Sequence, residues 1–247
     1  MKQTRLMMDM PITIEIADSD APEAAAAPAF EFFAWVDATF SPYRPDSEIA
    51  RINDGRLTLA QASQPVREIF QLAEETREDT GGYFDIRRGG RFDPSGIVKG
   101  WAIHNAALVL RRQGYANLSV DAGGDIQVYG ESPDGGPWRI GIRSPFEPDA
   151  SVKTLALTDC GVATSGTYFR GEHIYNPLRA GPLEGSVASL TVIGPNIYEA
   201  DRFATAAFAM GTQGVDFVEG LAGFEAYQID GAGVATFTSG FTRFVAQ

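Results

Sequence analysis

Cysteine is almost absent from this 247-residue chain: Cys160 stands alone, so no internal disulfide can form. Histidine is nearly as scarce, with only His104 and His173. No apolar run approaches the roughly 20 residues of a membrane helix. Basic residues are in deficit, 20 against 32 acidic, and the net charge of −12 repels phosphate backbones at long range, which argues against nucleic-acid binding. A polyanionic small ligand would need local help from a metal ion, a helix N-terminus or a few placed cations. Hydrophobic residues at 44% and charged residues at 21% are near the globular average, which excludes disordered, collagen-like and coiled-coil classes. A chain this long buries roughly 70–75% of its unfolded surface and needs no disulfide staples. With no repeat, low-complexity linker or clear boundary in view, a single domain over 1–247 is the expectation. The mildly basic start, Met1 to Arg5, leads into a stretch broken by Asp9 and then alternating from Ile12 to Ile16, as a strand does and a signal peptide does not. A cytoplasmic location follows as the expectation.

Residues 6–17 read as a first strand, and residues 21–38, rich in Ala, Phe and Trp at helical spacing, as a helix. A short helix starts after Ser47 and stops near Asn53-Asp54-Gly55; an amphipathic helix follows over 65–79. A helix over 96–113, apolar on most sides, is expected to be largely buried. Strands are expected at 117–121, 125–129, 138–143, 152–158 and 186–193, with helices over 197–210 and 213–221. The end, 224–246, reads as strands joined by the turn Asp230-Gly231-Ala232-Gly233. Strands outnumber helices and many meet at short glycine turns. The fold class is therefore α+β: a mixed, largely antiparallel sheet core with packed helices.

Five segments carry candidate chemistry, and each has a plainer reading. Gly82-Tyr83-Phe84-Asp85 precedes Phe92-Asp93-Pro94-Ser95-Gly96-Ile97-Val98-Lys99-Gly100, either a helix cap or an anion site where exposed N–H groups lie beside a lysine. Asp121-Ala122-Gly123-Gly124-Asp125 is either a hairpin turn or a place where backbone comes close to a ligand. Ala163-Thr164-Ser165-Gly166 is a small polar stretch after a strand. His173-Ile174-Tyr175-Asn176-Pro177 places one of the two histidines in a turn-like segment. In Asp201-Arg202-Phe203-Ala204-Thr205, the i, i+4 pair Asp201 and Thr205 shares a helix face, which suits either a solvated surface or a hard cation such as Mg²⁺.

Taken in order, these segments resemble the ApbE-like family of FAD:protein FMN transferases. The matching stretches are Met8, Phe40-Ser41-x-Tyr43 with Ser47-Glu48-Ile49 and Asn53, Gly82-x-Phe84-Asp85, Asp93-x-x-Gly96-Ile97-x-Lys99-Gly100, Asn117-x-x-Val120-Asp121-x-Gly123-Gly124-Asp125, Ala163-Thr164-Ser165-Gly166, His173-Ile174-x-x-Pro177 and Ala200-Asp201-x-x-Ala204-Thr205. They span about residues 8 to 211. The resemblance implies a T-fold-like architecture and Mg²⁺-dependent transfer of FMN from FAD to a Thr or Ser hydroxyl of an acceptor flavoprotein, with release of AMP. It assigns the metal to the Gly96 carbonyl, Asp201 and Thr205. It assigns flavin contacts to Met8, Tyr43, Tyr83, Phe84, Asp85, Asp93, Lys99 and Tyr175, and the general base to His173.

The chain also departs from the family pattern. Asn176 stands where the family has Asp, and His104 stands where it has an acid. Only seven residues separate Asp85 from Asp93, a gap that is much longer in typical members. Arg87, Arg88 and Arg91 lie in it, either gripping phosphate or carboxylate or forming a solvated basic loop. Two other functions stay open at this point: a module that holds FAD without transferring it, and hydrolysis of FAD to FMN and AMP.

Overall fold

The computed structural model describes residues 1–147, 149–166, 175–179 and 187–247. The chain opens with a hairpin, β1 (Lys2–Met7) and β2 (Met10–Ile16). Sequence alternation had marked residues 6–17 as one strand; Met8 and Asp9 break it by taking positive φ of 52° and 57°, the twist a two-residue hairpin turn requires. A 3₁₀ turn over Glu23–Ala26 leads into α1 (Ala27–Phe40). The Ser47 hydroxyl caps α2 (Glu48–Asn53) by accepting from the Ala50 amide. The amphipathic α3 (Gln64–Asp79) follows, then a tiny hairpin, β3 (Arg87–Arg88) and β4 (Arg91–Phe92), turning on Gly89 and Gly90. The stretch between Asp85 and Asp93 is thus an ordered hairpin.

The long helix α4 (Ser95–Arg112) is largely buried, as its apolar composition required. Then come β5 (Leu118–Ala122), β6 (Asp125–Tyr129), β7 (Trp138–Arg143), β8 (Ser151–Leu157), β9 (Cys160–Gly166) and β10 (Val187–Gly194). The helices α5 (Ile197–Ala209) and α6 (Gly214–Glu219) precede β11 (Glu225–Asp230) and β12 (Ala235–Phe237). Strand β9 was not foreseen, because Ala163-Thr164-Ser165-Gly166 read as a small polar stretch after a strand.

One eight-stranded sheet runs β1-β2-β5-β6-β9-β10-β11-β12, with every neighbouring pair antiparallel. Helices α4 and α5 cover one face, and α1 packs against α4. The β7–β8 hairpin covers part of the other, closing a second apolar cluster of Ile126, Val128, Trp138, Ile142, Leu155, Cys160, Val162 and Tyr227. Alternate residues of the central strands therefore bury on both sides. On β6, Ile126 and Val128 face the β7–β8 hairpin, while Gln127 between them points to the helices and accepts the Ile197 amide at 2.8 Å. That bond fixes the N-terminus of α5 over the sheet. The architecture is the expected α+β class with a mainly antiparallel sheet. No described helix is long and apolar enough to cross a membrane.

Candidate active site

A cleft of about 820 Å³ opens where the start of α4, the middle of α5, the β5–β6 turn and the β7 face converge. All eleven residues expected at the flavin and metal sites line it: Met8, Tyr43, Tyr83, Phe84, Asp85, Asp93, Gly96, Lys99, Tyr175, Asp201 and Thr205. They come from places far apart in the chain. Met8 sits on the strained β1–β2 turn, and Tyr43 stands at the rim, 84% exposed. Phe84 is buried against Gly96, where an added Cβ would come within 3.3 Å of its ring. The Tyr175 hydroxyl donates to the Asp85 carbonyl at 2.7 Å, and the Arg88 guanidinium lies over its ring at 4.7 Å. Asp93 accepts from the Ser95 amide and hydroxyl, ordering the first turn of α4. His173 falls outside the described residues.

The cleft floor is built from two helices pressed together. A Cβ on Gly100 would come within 2.7 Å of the Asp201 Cβ and 2.9 Å of the Ile197 carbonyl, so α4 and α5 approach this closely only because residue 100 is glycine. The Gly100 amide donates to Asp201 Oδ2 at 2.9 Å. Lys99, one residue earlier, ion-pairs with Asp125 and lies 3.4 Å from Asp201 Oδ1. Asp125 in turn accepts the Thr164 amide at 2.9 Å, which ties β6 to the unforeseen β9. Burial pushes the Asp201 carboxyl up to about 6, with Lys99 pulling the other way. Burial likewise raises Asp121, whose Oδ1 accepts the Gly124 amide.

A hard divalent cation fits this floor. Asp201 supplies a buried carboxylate whose charge is poorly solvated. Thr205 lies one turn further along α5, its methyl 3.6 Å from where a Gly96 Cβ would stand, so it neighbours the first turn of α4. Carboxylate, hydroxyl and backbone carbonyl oxygens are the donor types Mg²⁺ takes. Among the described residues there is no cluster of three or more His, Cys, Asp or Glu of the kind that binds metal through side chains alone. Any Mg²⁺ here would keep open positions for phosphate oxygens and water.

Among the cleft residues not singled out from sequence, Arg139, Arg143 and Ser189 carry chemistry. Arg139 and Arg143 share one face of β7 with Gly141 between them and line the cleft. Their i, i+4 spacing on a strand was the available signal. Ser189 on β10 is buried in the wall with a hydroxyl that has no hydrogen-bond partner among the described residues. Of the three hairpin arginines only Arg88 reaches the cleft. Arg87 pairs with Glu74 and Asp85, and Arg91 with Asp54 at 3.1 Å.

The ApbE family model matches residues 8–91 and 86–228. The chain belongs to the ApbE family. Proteins of the family called FAD:protein FMN transferase are 34% identical over 163 residues in Vibrio cholerae and 31% identical over 159 residues in Salmonella typhimurium. These matches cover 62% and 60% of this chain but 47% and 45% of the relatives, so the chain spans about half the length of the curated relatives it matches. Among solved structures, the flavinyl transferase ApbE of Pseudomonas stutzeri has a TM-score of 0.84 at 22% identity, covering 100% of this chain and 97% of that one. The ApbE flavin transferase of Vibrio cholerae has a TM-score of 0.83 at 24% identity, covering 99% and 98%. This ApbE chain therefore shares the fold of the flavin transferases over its whole length.

Proposed function

We propose that this ApbE chain transfers FMN from FAD to a Thr or Ser hydroxyl of an acceptor protein and releases AMP. What carries the reading is that the eleven described residues expected at a flavin and metal site, scattered from Met8 to Thr205, line a single cleft. Its volume of about 820 Å³ lies in the range of small-ligand sites. The relatives named FAD:protein FMN transferase support the same reaction.

Gly96, Asp201 and Thr205 would hold Mg²⁺, which when bound offsets negative charge on the phosphoryl oxygens and on departing AMP. The aromatic side chains Tyr43, Tyr83, Phe84 and Tyr175 offer apolar faces to planar rings. Lys99 supplies positive charge to a pyrophosphate. In the transfer, an acceptor hydroxyl oxygen bonds to the FMN-side phosphorus, the phosphoanhydride bond to AMP breaks, and the hydroxyl proton passes to a base. The resemblance gives that base to His173, a neutral-range proton acceptor.

Two measurements test the reading. The first is incubation of the chain with FAD, Mg²⁺ and a candidate acceptor, with intact mass read on both proteins. The acceptor is expected to gain one FMN, whereas FMN and AMP in solution with an unmodified acceptor would make the enzyme a hydrolase. The second is FAD titration with and without Mg²⁺: tighter binding with metal is expected in the wild type and is expected to vanish in Asp201→Asn. Equal affinities in the wild type would sink the metal assignment.

A further inference from the structure

Two buried carboxylates and one ammonium meet on the cleft floor. Lys99 pairs with Asp125 and lies 3.4 Å from Asp201 Oδ1. Each carboxylate has its other oxygen held by backbone: Asp125 Oδ1 takes the Thr164 amide, and Asp201 Oδ2 takes the Gly100 amide, both at 2.9 Å. The Asp201 oxygen most open to a metal is therefore the one that Lys99 faces.

We propose that Lys99 is the resident counter-cation of the Asp125–Asp201 pair, so that divalent metal and pyrophosphate enter the cleft together and each binds poorly alone. A metal arriving alone would meet an ammonium a few ångströms away in a poorly solvated site, where like charges repel strongly. A pyrophosphate arriving alone would meet carboxylates. Arriving together, the pyrophosphate draws the ammonium off Asp201 while the metal takes the freed oxygen. Among the described residues the movement falls to the lysine side chain, because the close contact at Gly100 holds α4 and α5 in place. Asp125 acts as the pivot: held by the Thr164 amide, it keeps its pairing with Lys99 and positions the ammonium for the phosphate. This inference rests on the metal assignment above, and the coupling it describes is reciprocal by thermodynamic linkage.

The test is calorimetric titration of the full chain with Mg²⁺ alone, and with FAD at zero and saturating Mg²⁺. In the wild type, Mg²⁺ and FAD are expected to tighten each other's binding by roughly 5–150-fold. Lys99→Met is expected to bind Mg²⁺ alone about tenfold tighter than wild type or more, with that coupling reduced. Lys99→Arg keeps the cation and is expected to stay weak for Mg²⁺ alone. Adding Asp201→Asn to Lys99→Met is expected to remove the gain. Lys99→Gln repeats the test should Lys99→Met fold poorly. Mg²⁺ binding that is no tighter in Lys99→Met and Lys99→Gln than in the wild type would overturn the inference. If the Mg²⁺ dependence of FAD binding in the wild type is lost in Asp201→Asn while Lys99→Met shows no gain, only the role of Lys99 fails. If Asp201→Asn keeps that dependence, the metal assignment fails with it.

Discussion

Ser189 carries a buried hydroxyl in the cleft wall that has no hydrogen-bond partner among the described residues. A buried hydroxyl left unpaired costs about 1–3 kcal/mol, so it stays only if something else satisfies it. Ser189→Ala is therefore expected to leave stability unchanged or raise it by up to about 1 kcal/mol, while weakening FAD binding by roughly tenfold, one hydrogen bond's worth. Chemical unfolding with FAD titration checks both, and a destabilised variant with unchanged FAD affinity would make the residue structural. Cys160 presents the opposite case, a polar group suited to its apolar place. It is buried in the second core cluster, and burial pushes its thiol up to about 11. The sign follows directly. The unfolded thiol ionises near pH 9 while the folded one stays neutral, so its contribution is full below that pH and is lost as pH rises through about 11. Two units correspond to about 2–3 kcal/mol. Between pH 8 and pH 11 the wild type is expected to lose more stability than Cys160→Ala by an amount approaching this. Parallel losses in the two proteins would show that the thiol ionises alike in both states.

The β3–β4 hairpin separates legible from illegible sequence. Its three arginines could be read from the chain, but not their division of labour. Arg87 and Arg91 are engaged with Glu74, Asp85 and Asp54 at exposed positions, where water screens such pairs and they add little, and only Arg88 of the three lines the cleft. Arg88→Ala is expected to slow FAD association at low salt, with Arg87→Ala and Arg91→Ala close to wild type in the same stopped-flow series. Equal slowing by all three would return the hairpin to the role of a diffuse basic loop. Other elements divide similarly. Helix α4 was readable because its apolar residues wrap its circumference and its start and stop signals are strong. Strand β9 was not, because a strand buried on both faces can use small residues where neighbours press close: at Gly161 a Cβ would run into the Ile197 amide. The β1–β2 turn was hidden because Met8 and Asp9 hold positive φ without the glycine or asparagine that usually signals it. The expected flavin and metal residues came from the resemblance, whose motifs are short segments, and what the structure adds is that they line one cleft; the Asp125–Lys99–Asp201 arrangement depends on strand and helix packing that no single segment encodes.

At the scale of the whole molecule, two electrostatic fields of opposite sign compete for an anionic ligand. The chain carries a net charge of −12, which repels FAD at a distance. Among the described residues, seven aspartates line the cleft: Asp9, Asp37, Asp85, Asp93, Asp121, Asp125 and Asp201. Against them stand Arg88, Lys99, Arg139 and Arg143, all cleft-lining, the three arginines exposed and the floor lysine half-buried. Salt screens both fields over about 8–10 Å at physiological ionic strength, so the direction of the salt effect reports which one dominates the approach. With Mg²⁺ present throughout, the arginines are expected to win in the wild type, and FAD association is expected to slow as salt rises. Replacing Arg88, Arg139 and Arg143 together with Ala leaves the long-range repulsion unopposed. Association in that variant is then expected to be slower at low salt and to quicken as salt rises, reversing the sign of the slope. Stopped-flow association over a monovalent salt series reads the slope directly. Two slopes of the same sign and size would mean that these arginines do not steer FAD, and that the cations acting on it are those of the cleft floor alone.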